Sequence, residues 1–154
     1  MKLYVMRHGI AASADMNSKR PLTEAGRQGV EKIARYLINS DTTITQIIQS
    51  GILRAEETSK IIATELRIPK TISSPELLGD QGSIDAILEL LPNWKEDTLL
   101  IGHLPLLFQL INRLVIGNMY REPIVDFSPG TIVCLDSFSP KRWMIEWMLS
   151  PDTL

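Results

Sequence analysis

Short apolar runs alternate along this chain with longer stretches in which apolar residues recur every three or four positions. Residues 3–6 form the first run, which breaks at Arg7-His8-Gly9, as a buried strand does on entering a loop. Thr23 can cap a helix running to about Ile38, with Glu24 in its first turn and Val30, Ile33, Ala34 and Leu37 on one face. Residues 44–49 predict a second strand, ending at Ser50-Gly51. A second helix is expected over residues 53–66, with Ile61, Ile62 and Leu66 facing inward and Pro69 stopping it. Residues 70–73 read as a short strand, 75–82 as a loop, and 83–91 as a third helix ended by Pro92. The clearest buried strand is 98–101, which stops at Gly102-His103. Pro105 suits the first turn of a helix that continues apolar over 106–115. Residues 131–136 and 142–148 predict two more strands about a Ser-Pro turn. In the last of them Trp143, Ile145 and Trp147 alternate with Met144, Glu146 and Met148, the pattern of an edge strand.

Strand–helix alternation of this kind predicts a three-layer α/β/α architecture with a mainly parallel central sheet, closed by an antiparallel pair at its C-terminal edge. There is no internal repeat, low-complexity stretch or linker. The 154 residues predict one domain spanning 1–154, since a domain takes about 150 residues. Such a domain buries about two-thirds of its unfolded surface and needs no disulfide, and the single cysteine, Cys134, has no partner for one. A net charge of −2 lacks the basic excess of a nucleic-acid or membrane-surface protein. The first residues lack the apolar core of a secretory leader, and no stretch reaches the roughly 20 apolar residues of a membrane span. A cytoplasmic protein is expected.

Parallel sheets bind ligands beyond the carboxyl ends of their strands, so the residues just past each strand mark the candidate site. Arg7-His8-Gly9 comes after the first, Ser50-Gly51-Ile52-Leu53-Arg54 after the second, and Gly102-His103 after the strand at 98–101. The only two histidines thus fall at one sheet edge with two arginines. Singly, each has a plainer reading: His8 as a surface loop residue, Arg54 as an ion pair with Glu56 or Glu57, and Pro105 as ordinary helix-start chemistry. Together they make a pocket for an anion with no carboxylate nearby, because guanidinium forks match phosphate geometry and stay charged. The amides that open the helix after His103 add positive potential. A neutral imidazole there can attack phosphorus, with the cations stabilising charge on the transferring group. Gly9 lets the chain turn sharply after His8. Two histidines flanked by cations are a poor zinc site, which wants three or four ligands.

These residues resemble the signature of the histidine phosphatase (phosphoglycerate mutase-like) superfamily. The likeness covers Arg7-His8-Gly9, Arg20-Pro21-Leu22-Thr23 with Gly26 and Arg27, the run from Ser50 to Thr58, and Gly102-His103-Leu104-Pro105. The short length, the Leu-Pro after His103 and the Ser150-Pro151 ending are similar to the SixA branch, the small phosphohistidine phosphatases. The resemblance implies a phosphoglycerate mutase-like fold, His8 as the nucleophile that becomes phosphorylated, and Arg7, Arg54 and His103 as phosphate-holding groups. It places Arg20 at the pocket rim and implies no metal or other cofactor.

Larger members carry an acid that protonates the leaving oxygen. Here the corresponding region, 68–83, is short, and its candidates are Glu76 and Asp80, with Glu76 read as a solvated loop carboxylate. General acid help is worth about 10²–10⁴-fold, and imidazole leaves far more readily than an alkoxide, so weak acid catalysis points to phosphohistidine. The short region also predicts an open pocket, with the loop at 117–126 as a candidate cover. The expected partner is a phosphorylated histidine-phosphotransfer protein, met by a monomer. A small-molecule phosphomonoesterase and a non-catalytic phosphohistidine-binding module are the alternatives, and mutase activity fits the short region less well. Because the nucleophile must be neutral, activity is expected to fall in weak acid as His8 gains a proton.

Overall fold

Six strands form one mixed sheet in the order β3-β2-β4-β1-β5-β6. The computed structural model describes residues 1–117 and 122–154, so part of the 117–126 loop lies outside the described residues. The strands are β1 (Lys2–Arg7), β2 (Gln46–Gln49), β3 (Lys70–Ser73), β4 (Thr98–Gly102), β5 (Ile132–Ser139) and β6 (Arg142–Leu149). β3, β2, β4 and β1 run parallel, while β5 pairs antiparallel with β1 and β6 antiparallel with β5. The helices are α1 (Glu24–Ile38), α2 (Leu53–Leu66), α3 (Pro75–Leu78), α4 (Ile84–Leu90) and α5 (Leu106–Val115).

Strand side chains alternate faces, and β1 divides them cleanly. Leu3 and Val5 join Leu100, Val133 and Leu135 beneath α3, α4 and α5, where Leu78, Ile87, Leu107 and Leu110 pack. Tyr4 and Met6 join Ile47, Leu99 and Ile101 on the opposite face beneath α1 and α2, with Val30, Ile33, Leu37 and Ile62. The two cores make the three-layer architecture. Among the described residues no helix is long and apolar enough to cross a membrane.

Several boundaries differ from the sequence pattern. Residues 75–82 are not all loop, because Pro75 opens the single turn α3, which drives Leu77 and Leu78 into the core. β2 begins at Gln46, after Ile44. The buried face of α2 is Ala55, Thr58, Ser59 and Ile62, with Ile61 and Leu66 only half-buried. The alternation read in β6 also breaks. The register skips from Cys134↔Trp147 to Leu135↔Ile145, leaving Glu146 as an extra residue in a β-bulge. Trp143 therefore packs in one core and Trp147 against the other.

The start of α1 is tied to the segment leaving β1. Thr23 caps the helix by accepting from the Gly26 N–H at 3.0 Å, and its own N–H donates to the Ile10 carbonyl at 2.9 Å. A Cβ on Gly26 would sit 2.0 Å from that carbonyl oxygen. Gly26→Ala is therefore expected to lower stability by about 1–3 kcal/mol, as overpacking does. It should also depress activity, because residues 7–10 must move. Urea denaturation beside turnover checks both.

Candidate active site

The strand order places β2, β4 and β1 side by side, so the residues that leave their carboxyl ends meet at one edge of the sheet. Arg7 is paired with Gly102 in the β1–β4 register, and the next residues, His8 and His103, bring their ring centroids to 5.0 Å. The His8 N–H donates to the Gly102 carbonyl, and the Arg7 and His8 carbonyls both accept from the Gly130 N–H. The chain leaving β1 is thereby held from two neighbours.

His8 is 6% exposed. Its Nδ1 lies 2.7 Å from the Gly9 carbonyl, and the Arg54 Nε–H donates to its Nε2 at 3.3 Å. A guanidinium cannot accept, so Nε2 must carry the lone pair and Nδ1 the proton given to Gly9. This tautomer offers a lone pair at Nε2, the form a nucleophile needs. Thr58, fully buried, links the two parts: its Oγ1 accepts from the Gly9 N–H at 3.1 Å and donates to the Arg54 carbonyl at 2.7 Å.

Ser50, also fully buried, holds the other imidazole, with its Oγ 2.7 Å from His103 Nε2 while accepting from the Ile52 N–H. Arg7 Nη1 donates to the Phe127 carbonyl at 2.7 Å. His103 Nδ1 and Arg7 Nε are buried without a hydrogen-bond partner among the described residues. A buried unpaired polar group costs about 1–3 kcal/mol, so such atoms ask for a ligand oxygen.

Arg20 sits in the left-handed region at φ 49°, with its Nε donating to the Ala12 carbonyl. Its charge is felt at Arg7, Arg54 and His103. Among the described residues Arg54 makes no ion pair with Glu56 or Glu57, and Glu57 instead accepts from the Leu22 N–H and faces Arg27. The sequence pattern placed no carboxylate near the cluster, yet Asp80 lies close enough to steady the Arg54 charge. Folding of α3 brings it there. Glu76 is turned to its own backbone and to Ser74 Oγ at 2.8 Å, contacts that hold its carboxyl below the usual range.

Burial pushes both imidazoles down to about 4, assisted at His8 by His103, Arg54 and Arg7 and at His103 by Arg54, Arg7 and Arg20. Burial likewise lowers the Arg7 and Arg54 guanidinium values, with Arg20 adding to each. The weak-acid loss of activity expected from an ordinary histidine therefore moves down toward pH 4 in the free protein. NMR titration of the imidazoles should show both neutral from pH 7 to below 5.5. Unfolded histidine titrates near 6.5, so the unfolded chain binds more protons between pH 6.5 and 4. Stability from these groups is present above 6.5 and falls across that window.

Among the described residues no group of three or more His, Cys, Asp or Glu is placed to hold a metal ion. Ser50 and Thr58 have no assigned role in the sequence reading, although both lie in the run from Ser50 to Thr58. The signal for Thr58 is its i+4 spacing from Arg54 on a helix. That for Ser50 is its place at the end of a buried strand. The Phe127 carbonyl carries no sequence signal.

Comparison with known proteins places the chain among phosphatases. The profile of the histidine phosphatase superfamily (branch 1) matches residues 3–77. Phosphohistidine phosphatase SixA of Escherichia coli (strain K12) is 33% identical over 159 residues, covering 100% of this chain and 96% of the relative. The structure of the protein histidine phosphatase SixA complexed with tungstate superposes at a TM-score of 0.86 with 28% identity, covering 99% of both chains. A mycobacterial glucosyl-3-phosphoglycerate phosphatase complexed with VO3 shares the fold at a TM-score of 0.72 with 16% identity, over 95% of this chain and 97% of that one.

Proposed function

The chain belongs to the histidine phosphatase superfamily and is a phosphatase, and we propose that it removes phosphate from a phosphohistidine carried by another protein. The observation that carries this reading is the His8 ring, with Nδ1–H given to Gly9 and Nε2 left as a lone pair beside Arg54 and His103. The tungstate bound by the SixA relative is a tetrahedral oxyanion of the kind such a cluster accommodates.

In the first step His8 Nε2 attacks phosphorus, the new N–P bond forms and the substrate's N–P bond breaks. Protonated on its other ring nitrogen, the substrate imidazole leaves neutral, so no general acid is required. Arg7, Arg54 and His103 bind the equatorial oxygens, and Arg20 borders them. With the Ser50 hydroxyl donating to Nε2, His103 carries its proton on Nδ1, the buried nitrogen that lacks a partner among the described residues. Water then attacks phospho-His8. Because Nδ1 keeps its proton on the Gly9 carbonyl, His8 also departs neutral, and phosphate is released.

No metal enters this scheme, and residues 1–154 would act as one domain and as a monomer. A second reading, a small-molecule phosphomonoesterase, is favoured by the carboxyl group of Asp80 near Arg54, the kind of side chain that serves as a general acid in alkyl phosphate cleavage. Phosphate release from a phosphorylated histidine-phosphotransfer domain, with EDTA present, is compared with release from phosphosugars. Preference for the domain supports the first reading. Turnover of the sugars alone sinks it, as does abolition by the chelator of its metal independence.

A further inference from the structure

The charged groups around the cluster do not all border the same space. Arg54 feels the charges of Arg20 and Asp80, whereas Arg7 lines a hollow of about 510 Å³ whose lining includes neither Arg20, Arg54 nor Asp80. The hollow's walls include Leu104, Phe108, Pro123 and Ile124. Leu104 is 38% exposed and Ile124 is 43% exposed. Leu104 is the residue immediately after His103, and Phe127, whose carbonyl holds Arg7, is part of the same wall. The hollow is thus continuous with the phosphate-binding groups rather than a separate surface feature. Among the described residues Arg7 is its one basic group and Asp126 its one acidic group.

We propose that this hollow is the docking surface for the protein substrate, and that it takes an apolar side chain displayed one helical turn from the phosphohistidine. The inference rests on the phosphohistidine reading and deepens it. A helix rises about 5.4 Å per turn, so residues three or four positions from the phosphorylated one lie on the same face. With the phosphate on Arg7, His8 and His103, such a neighbour meets the exposed Leu104 and Ile124 and the half-buried Phe108. A phosphosugar offers only hydroxyls to these walls and gains nothing from burying them. The apolar flank therefore discriminates by class of substrate, as exposed apolar patches beside functional groups do.

The test compares two substrates: a histidine-phosphotransfer domain phosphorylated by phosphoramidate, and phosphoramidate itself, which is too small to reach the hollow. Ile124→Asp and, separately, Leu104→Ser should raise KM for the phosphorylated domain about tenfold or more, the scale of one lost apolar contact. The ratio of kcat/KM for the domain to that for phosphoramidate should fall by the same factor. Phosphoramidate turnover also reports that each variant folds, and the two variants stand in for one another on that point. Ile38→Asp, exposed on α1, should leave the ratio unchanged. If the wild type acts on both substrates and neither folded variant shifts the ratio, the docking surface is overturned while the phosphohistidine reading stands. If the wild type hydrolyses neither, that reading falls and takes the surface with it.

Discussion

Replacing His8 with alanine should reduce phosphate release by on the order of 10⁴-fold or more, the loss expected when a covalent nucleophile is removed and only binding groups remain. The argument is geometric. Nε2 of His8 carries a lone pair because Arg54 can only donate to it, and Nδ1 is committed to the Gly9 carbonyl. No other side chain in the cluster has both features. His103, the other imidazole, has its Nε2 lone pair engaged by the Ser50 hydroxyl. If His103 were the nucleophile, His8→Ala would retain phosphoryl transfer to protein, and an acid-labile phosphoprotein would still form. His8→Ala should still bind phosphate or tungstate, because Arg7, Arg54 and His103 remain. Isothermal titration with either oxyanion, set beside the kinetics, separates loss of chemistry from loss of binding.

Arg54→Ala should lower kcat/KM by about 10²–10³-fold, the usual effect of removing one group that stabilises developing charge. Lysine should restore little of it, since a point charge cannot reproduce the guanidinium fork. This variant has a second signature. Arg54 helps to hold both imidazoles down at about 4. Removing that cation takes away a repulsion against imidazolium, so both titration midpoints should rise, though burial keeps them below 6.5. A midpoint that stays put would show that Arg54 does not face the histidines in solution. A fall in activity with no rise in either midpoint would then need another cause.

Much of this site is legible before any coordinates. The chemistry lies directly after strands, and a buried strand is the easiest element to read from an apolar run. Once 3–6, 44–49 and 98–101 are taken as neighbouring parallel strands, Arg7, His8, Arg54 and His103 must share one edge. The features that pattern reading misses arise where the chain departs from regular elements. Trp143 and Trp147 look like one face of β6, and only the bulge at Glu146 sends them to opposite cores. A bulge inserts a residue without altering local hydrophobicity, so alternation alone is blind to it. Pro75 and Gly79 suggest a loop, yet burial of Leu77 and Leu78 favours a turn of helix, which brings Asp80 toward Arg54. Burial also explains the low imidazole values, because composition gives a histidine its ordinary pKa until its desolvation is known. Ser50 and Thr58 sit in plain view in the sequence. Their contacts with His103 and Gly9 depend on tertiary positions that no spacing rule specifies.

Rapid quench of the wild-type protein mixed with a radiolabelled phosphohistidine domain, with EDTA present, tests the central claim most directly. Label should appear on the enzyme before free phosphate does, should be acid-labile and base-stable, and should map to the peptide containing His8. It should be absent from His8→Ala. Release of phosphate with no label ever passing through His8, or label on a different residue, would contradict the account.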